Sequence, residues 1–88
     1  MISERDKNII LECAKKYNVS AVILFGSSLK DKEFNDIDIG VKGIEQRVFF
    51  KFYAELFKKL SKPVDLIDLS RKSLFSVLVE ETGIKIYG

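Results

Sequence analysis

The sequence predicts an α/β or α+β domain, one small sheet with helices packed on it. Three observations carry that reading. Segments of helical and strand period alternate along the chain in the order helix, strand, turn, strand, helix, strand, helix, strand. The strand-like runs are short and stop at glycine or polar clusters, as in "AVILFG" and "DIDIGVKG". The length, 88 residues, suits one domain and not two, and 47% hydrophobic with 32% charged residues describes a globular chain.

Each element has a local reason. Ser3 can cap a helix, with Asp6 three residues on as a short version of the capping box. Ile9, Ile10, Cys13, Ala14 and Tyr17 then recur at helical spacing, and Asn18 suits a left-handed stop. Ala21–Phe25 is wholly apolar, as expected of a strand buried on both faces, and Gly26 breaks it. Ser27–Lys30 is expected to form a helical turn and Asp31–Asn35 a polar turn. Asp36–Val41 alternates polar with apolar and reads as a second strand, closed by Lys42-Gly43. Ile44–Leu60 is the strongest helix and ends before Pro63. Val64–Leu69 is a third strand, Ser73–Thr82 an apolar helix stopped by Gly83, and Ile84–Tyr87 a short final strand. No repeat, low-complexity stretch or linker interrupts residues 1–88, a single domain.

Composition removes several kinds of chemistry. Lysine and arginine exceed aspartate and glutamate by 15 to 13, a net charge of +2, which gives no argument for nucleic acid. The single cysteine, Cys13, rules out an internal disulfide and fits a reducing, cytoplasmic setting. Histidine is absent, so Ser-His and Cys-His nucleophile pairs are excluded, and catalysis must rest on carboxylates, lysine, hydroxyls or a metal. The N-terminus lacks a signal-peptide core, and no apolar stretch approaches the ~20 residues that cross a bilayer, so no membrane role is expected.

The feature that strand propensity does not explain is the aspartate pair in "NDIDIGV". Residues two apart in a strand share a face. Ile37, Ile39 and Val41 therefore point one way, towards a core, and Asp36, Asp38 and Gly40 the other. Gly40 is expected to leave room beyond the carboxylates. Two carboxylates so close repel unless a positive charge lies between them, and a divalent ion is the simplest such charge. Magnesium fits, since it takes one or two protein carboxylates together with substrate phosphates. A solvent-exposed edge strand explains the pair equally well if it stands alone. Two further features favour the metal. Gly26-Ser27 ends a buried strand, where glycine admits close backbone approach and the N–H groups of a helical turn attract anions. Asp65 opens the third strand and completes a three-carboxylate set if strands two and three are neighbours. Asp68 lies off that face and is expected to cap the segment after the third strand.

Gly26-Ser27, a spacer, Asp36-Ile37-Asp38 and then Asp65 in a later strand together resemble the nucleotidyltransferase superfamily of DNA polymerase beta type, and within it the minimal, MNT-domain proteins. The similarity runs from the strand before Gly26 to the closing "GIKIYG". The resemblance implies a small mixed sheet of three to four strands with helices packed mainly on one face. It implies transfer of a nucleoside monophosphate, AMP from ATP foremost, to an acceptor hydroxyl with release of pyrophosphate. Asp36, Asp38 and Asp65 would be the catalytic carboxylates and would hold two magnesium ions, Mg2+. Gly26, Ser27, Ser28 and Lys30 occupy the positions that would bind the nucleotide. The family's usual arginines are replaced, since Ser28, Leu29, Lys30 and Asp31 come after Gly-Ser and only Lys30 keeps a positive charge. Minimal members are often encoded beside helical HEPN proteins as toxin–antitoxin pairs, which implies a HEPN-type partner.

Five of the ten aromatic residues lie between Phe49 and Phe57. Phe49, Phe52, Tyr53, Leu56 and Leu60 form the face expected on the sheet, with Phe50 and Phe57 on its flank. That flank is either part of a broad buried helix or an exposed surface for a partner or a homodimer. A catalytically weak module that acts by binding a helical partner is therefore the alternative to an active enzyme.

Overall fold

A computed structural model of the chain describes residues 2–26, 29 and 35–88. Helix α1 spans Glu4–Lys16, strand β1 Ala21–Phe25, β2 Ile37–Lys42, helix α2 Gln46–Lys59, β3 Val64–Asp68, helix α3 Leu74–Thr82 and β4 Ile84–Tyr87. The strands form one sheet in the order β3-β2-β1-β4. β1 pairs antiparallel with both β2 and β4, and β2 pairs parallel with β3, so the sheet is mixed. The parallel pair is joined by α2, the crossover that such pairing requires. Among the described residues no helix is long and apolar enough to cross a membrane.

The main core lies on one face of this sheet. Val22 and Leu24 of β1 and Ile37, Ile39 and Val41 of β2 meet Ile10, Cys13 and Ala14 of α1 and Phe52 and Leu56 of α2. A smaller cluster on the opposite face joins Ile23 of β1, Leu69 after β3 and Val79 of α3, so β1 is buried on both sides. Among the described elements, α1 and α2 thus cover one face and α3 packs on the other.

The helix ends show where local signals held and where distant contacts intervened. The Ser3 side chain accepts the Asp6 N–H, as expected of a cap, and Asn18 takes φ 55° after the helix stops. The Asp6 carboxylate does not complete the box. It is buried and accepts from both the backbone N–H and the hydroxyl of Ser61, tying α1 to the end of α2. Helix α2 starts at Gln46, later than expected, because Glu45 stays extended without a side-chain cap bond while Ile44 is buried ahead of it. α3 carries a full capping box, in which the Ser73 side chain accepts from the Ser76 N–H and the Ser76 hydroxyl from the Ser73 N–H.

Between α1 and α2 the Glu55 carboxylate collects four donors: Lys16 at 2.7 Å, Tyr17 at 2.9 Å, Lys59 at 3.1 Å and the Cys13 thiol at 3.3 Å. The bonds from Lys16 and Lys59, with smaller help from Tyr17 and Cys13, hold Glu55 at about 2, below its usual 4.5, against the opposing effect of burial. Burial, then the hydrogen bond to Glu55, pushes the Cys13 thiol up to about 11.

Candidate active site

The carboxylates stand on the sheet face away from the main core. Within β2, Ile37, Ile39 and Val41 are fully buried in that core, which turns Asp38 and Gly40 to the opposite side. The register then supplies the neighbours. Asp38 pairs with Asp65 across the parallel β2–β3 ladder and with Phe25 across the antiparallel β1–β2 ladder. Register partners project to one face, so the Asp38 and Asp65 carboxylates are adjacent. Asp38 is half-buried and Asp65, on the outer strand, is exposed.

Asp36 is placed differently from the expectation. The strand begins at Ile37, whose N–H donates to the Pro63 carbonyl at 2.8 Å, and Asp36 lies exposed in the bend before it. Asp68 is at the end of β3 and accepts the Ser70 N–H at 2.9 Å, which fits its expected capping role.

Gly26 meets Asp38 directly. It comes after Phe25 at φ +70°, and a β-carbon there would overlap the Asp38 Oδ2 and lie 3.1 Å from its Cγ. The Asp38 carboxylate thus rests against bare backbone at the end of β1, a cradle that only glycine leaves open. The chain turns at once, the Leu29 N–H donating to the Gly26 carbonyl at 3.2 Å. Leu29 is helical and half-buried, while Ser27, Ser28 and Lys30, expected to bind the nucleotide, lie outside the described residues, as does most of the polar turn expected over Asp31–Asn35.

The space expected beyond Gly40 is filled. A β-carbon on Gly40 would overlap the Leu69 side chain, whose Cγ would be 2.9 Å away. Leu69 folds over Gly40 into the small cluster with Ile23 and Val79, so the carboxylates stand on an apolar floor that α3 helps to build. The Phe25 and Phe75 rings meet edge to face at 5.9 Å beside Asp38, and sequence periodicity gave no sign of this contact.

A divalent cation fits the donor set in part. Among the described residues no three acidic, cysteine or histidine side chains converge on one metal position. The Asp38–Asp65 pair nevertheless offers hard oxygen ligands on one face, the number that magnesium takes when substrate phosphates complete its shell.

The sequence model of the family described as Polymerase beta, Nucleotidyltransferase matches residues 7–88. The chain belongs to this nucleotidyltransferase family. Its members are transferases that typically use divalent metal ions. No curated protein matches the chain. Solved structures match the nucleotidyltransferase fold closely. A toxin–antitoxin with AMP-PNP aligns with a TM-score of 0.75 at 26% identity, over 93% of this chain and 73% of its own. The MntA–HepT toxin–antitoxin aligns at 0.73 and 22% identity, over 98% and 73%. A tri-AMPylated HEPN toxin from Shewanella oneidensis in complex with an MNT antitoxin aligns at 0.69 and 26% identity, over 94% and 70%.

Proposed function

We propose that this nucleotidyltransferase transfers AMP from ATP to a hydroxyl on a HEPN-type helical partner, with magnesium as the metal. The adjacency of Asp38 and Asp65 beside the Gly26 cradle is the observation that carries the reading. The solved relatives support it, since one holds AMP-PNP and another includes a tri-AMPylated HEPN toxin. The acceptor oxygen forms a bond to the α-phosphorus, the bond to the bridging oxygen breaks, and pyrophosphate leaves. Asp38 and Asp65, with Asp36 at the rim, would hold two magnesium ions. Bound there, the metal supplies charge for the attacking and leaving oxygens. Gly26 leaves its backbone open to the phosphates, with Ser27, Ser28 and Lys30 as further donors. Asp65, the more open carboxylate, takes the acceptor proton.

Radiolabelled ATP, magnesium and a co-expressed HEPN-type partner should give a labelled partner, and Asp38→Asn should abolish the label. Label that persists in Asp38→Asn overturns the assignment. A non-catalytic binding module is the second reading, favoured by the lack of a converged three-carboxylate group among the described residues. It requires that magnesium and ATP leave the melting temperature unchanged.

A further inference from the structure

Helix α2 turns one face to the core and presents another that the other described residues leave uncovered. Phe50 is 75% exposed and Phe57 62%, and Ala54 between them is also exposed. At 100° per residue these three fall on one line along the helix, and Arg47, Lys51 and Lys58 form a parallel row on the side towards α1. Large aromatics held in water at this spacing are the pattern by which one helix receives another.

Shallow clefts border the stripe. One of about 620 Å³ lies at the N-terminal end, lined by Gln46, Arg47, Phe49 and Phe50 with Asp68 of β3. Another of about 400 Å³ runs between α1 and α2 beside Ala54, where Lys51, Lys58 and Lys59 line it. The charge on this surface is one-sided. Of the three acidic residues near it, Glu45 pairs with Arg47 at 2.8 Å, Glu55 is committed to its four donors, and Asp68 accepts the Ser70 N–H at 2.9 Å.

We infer that the outer face of α2 is a docking surface for an acidic amphipathic helix of a separate protein. Apolar residues of that helix cover Phe50, Ala54 and Phe57, and its carboxylates meet Lys51 and Lys58. A second copy of this chain fits less well. A two-fold axis between antiparallel α2 helices sets their basic rows on the same side, like charge beside like. The surface lies across the sheet from Asp38 and Asp65, so it holds its partner whether or not the carboxylates transfer nucleotide.

The test uses two designed amphipathic helices with the same leucine stripe, one flanked by glutamates and the other by lysines. Fluorescence anisotropy should show the acidic helix binding about tenfold or more tightly than its basic twin, with an affinity that falls as salt rises. Phe50→Glu and Phe57→Glu should each weaken binding about tenfold or more, with ATP binding unchanged. Lys51→Glu with Lys58→Glu should do the same, and this pair carries the test if either phenylalanine variant fails to fold. Equal binding of the two helices, binding of neither, or binding that survives these variants overturns the inference. So does a stable homodimer that Phe50→Glu dissociates. Failure to label a partner with AMP bears on the carboxylates alone.

Discussion

At Gly26 a single methyl group separates two outcomes. Alanine there must hold a positive φ, a backbone cost of about 1 kcal/mol, and its β-carbon must displace the Asp38 carboxylate. Gly26→Ala should therefore lower the melting temperature by only a few degrees while abolishing partner labelling. An active Gly26→Ala enzyme would show that the cradle is not needed. The sequence showed the glycine as a strand stop and a place for close backbone approach to a ligand, but not its contact with Asp38. Its partner is twelve residues away, beyond the turn, and the sheet register alone brings them together. Asp6 repeats the lesson. Its spacing from Ser3 suggested a local box, but Ser61, 55 residues on and just past the end of α2, captured the carboxylate.

Among the elements, α1 and α2 are joined through Glu55, and the joint should respond to acid. The folded state depresses the Glu55 carboxyl from 4.5 to about 2, so its contribution is fully present above the unfolded value. That contribution is lost as the pH falls from about 4.5 towards 2. The Lys16 and Lys59 side chains are more than half exposed, so screening limits the effect to about 1 kcal/mol. Denaturant unfolding at pH 6 and pH 3 should show a larger loss in wild type than in Glu55→Gln. An equal loss in both would remove Glu55 from the acid response.

α3 is held differently, through Gly40 and Leu69. Gly40→Ala should destabilise by about 1–3 kcal/mol by overpacking, whereas in a Leu69→Ala background the same change should cost far less. Additive effects in the double mutant would mean that the two side chains do not compete. Elements with their own signals were readable. β1 and β4 lie where the sequence placed them, and the helix expected over Ser73–Thr82 is found at Leu74–Thr82, with Ser73 as its cap. Glu55, Leu69 and the Phe25–Phe75 contact were not readable, because each depends on two elements meeting across the fold.

For the molecule as a whole, the sheet separates two surfaces. Carboxylates and α3 lie on one side, and α1, α2 and the exposed Phe50 and Phe57 on the other. Distant sites without shared partners act additively. Asp38→Asn with Phe50→Glu should therefore melt at the temperature expected from the sum of the two single shifts. The double mutant should lose nucleotide transfer through the first change and helix binding through the second. A strong departure from the sum would show that the faces communicate through the sheet.

The parallel register of β2 and β3 has one more consequence. Asp38 and Asp65 share a rung that lies between two layers of core residues: Ile37 with Val64 one rung before, Ile39 with Leu66 one rung after. A slip of one residue would part the carboxylates, and it would also turn the β3 side chains that face the core out to water. An error in the chemistry is therefore an error in the hydrophobic layer, and the core proofreads the alignment of the two acids each time the chain folds.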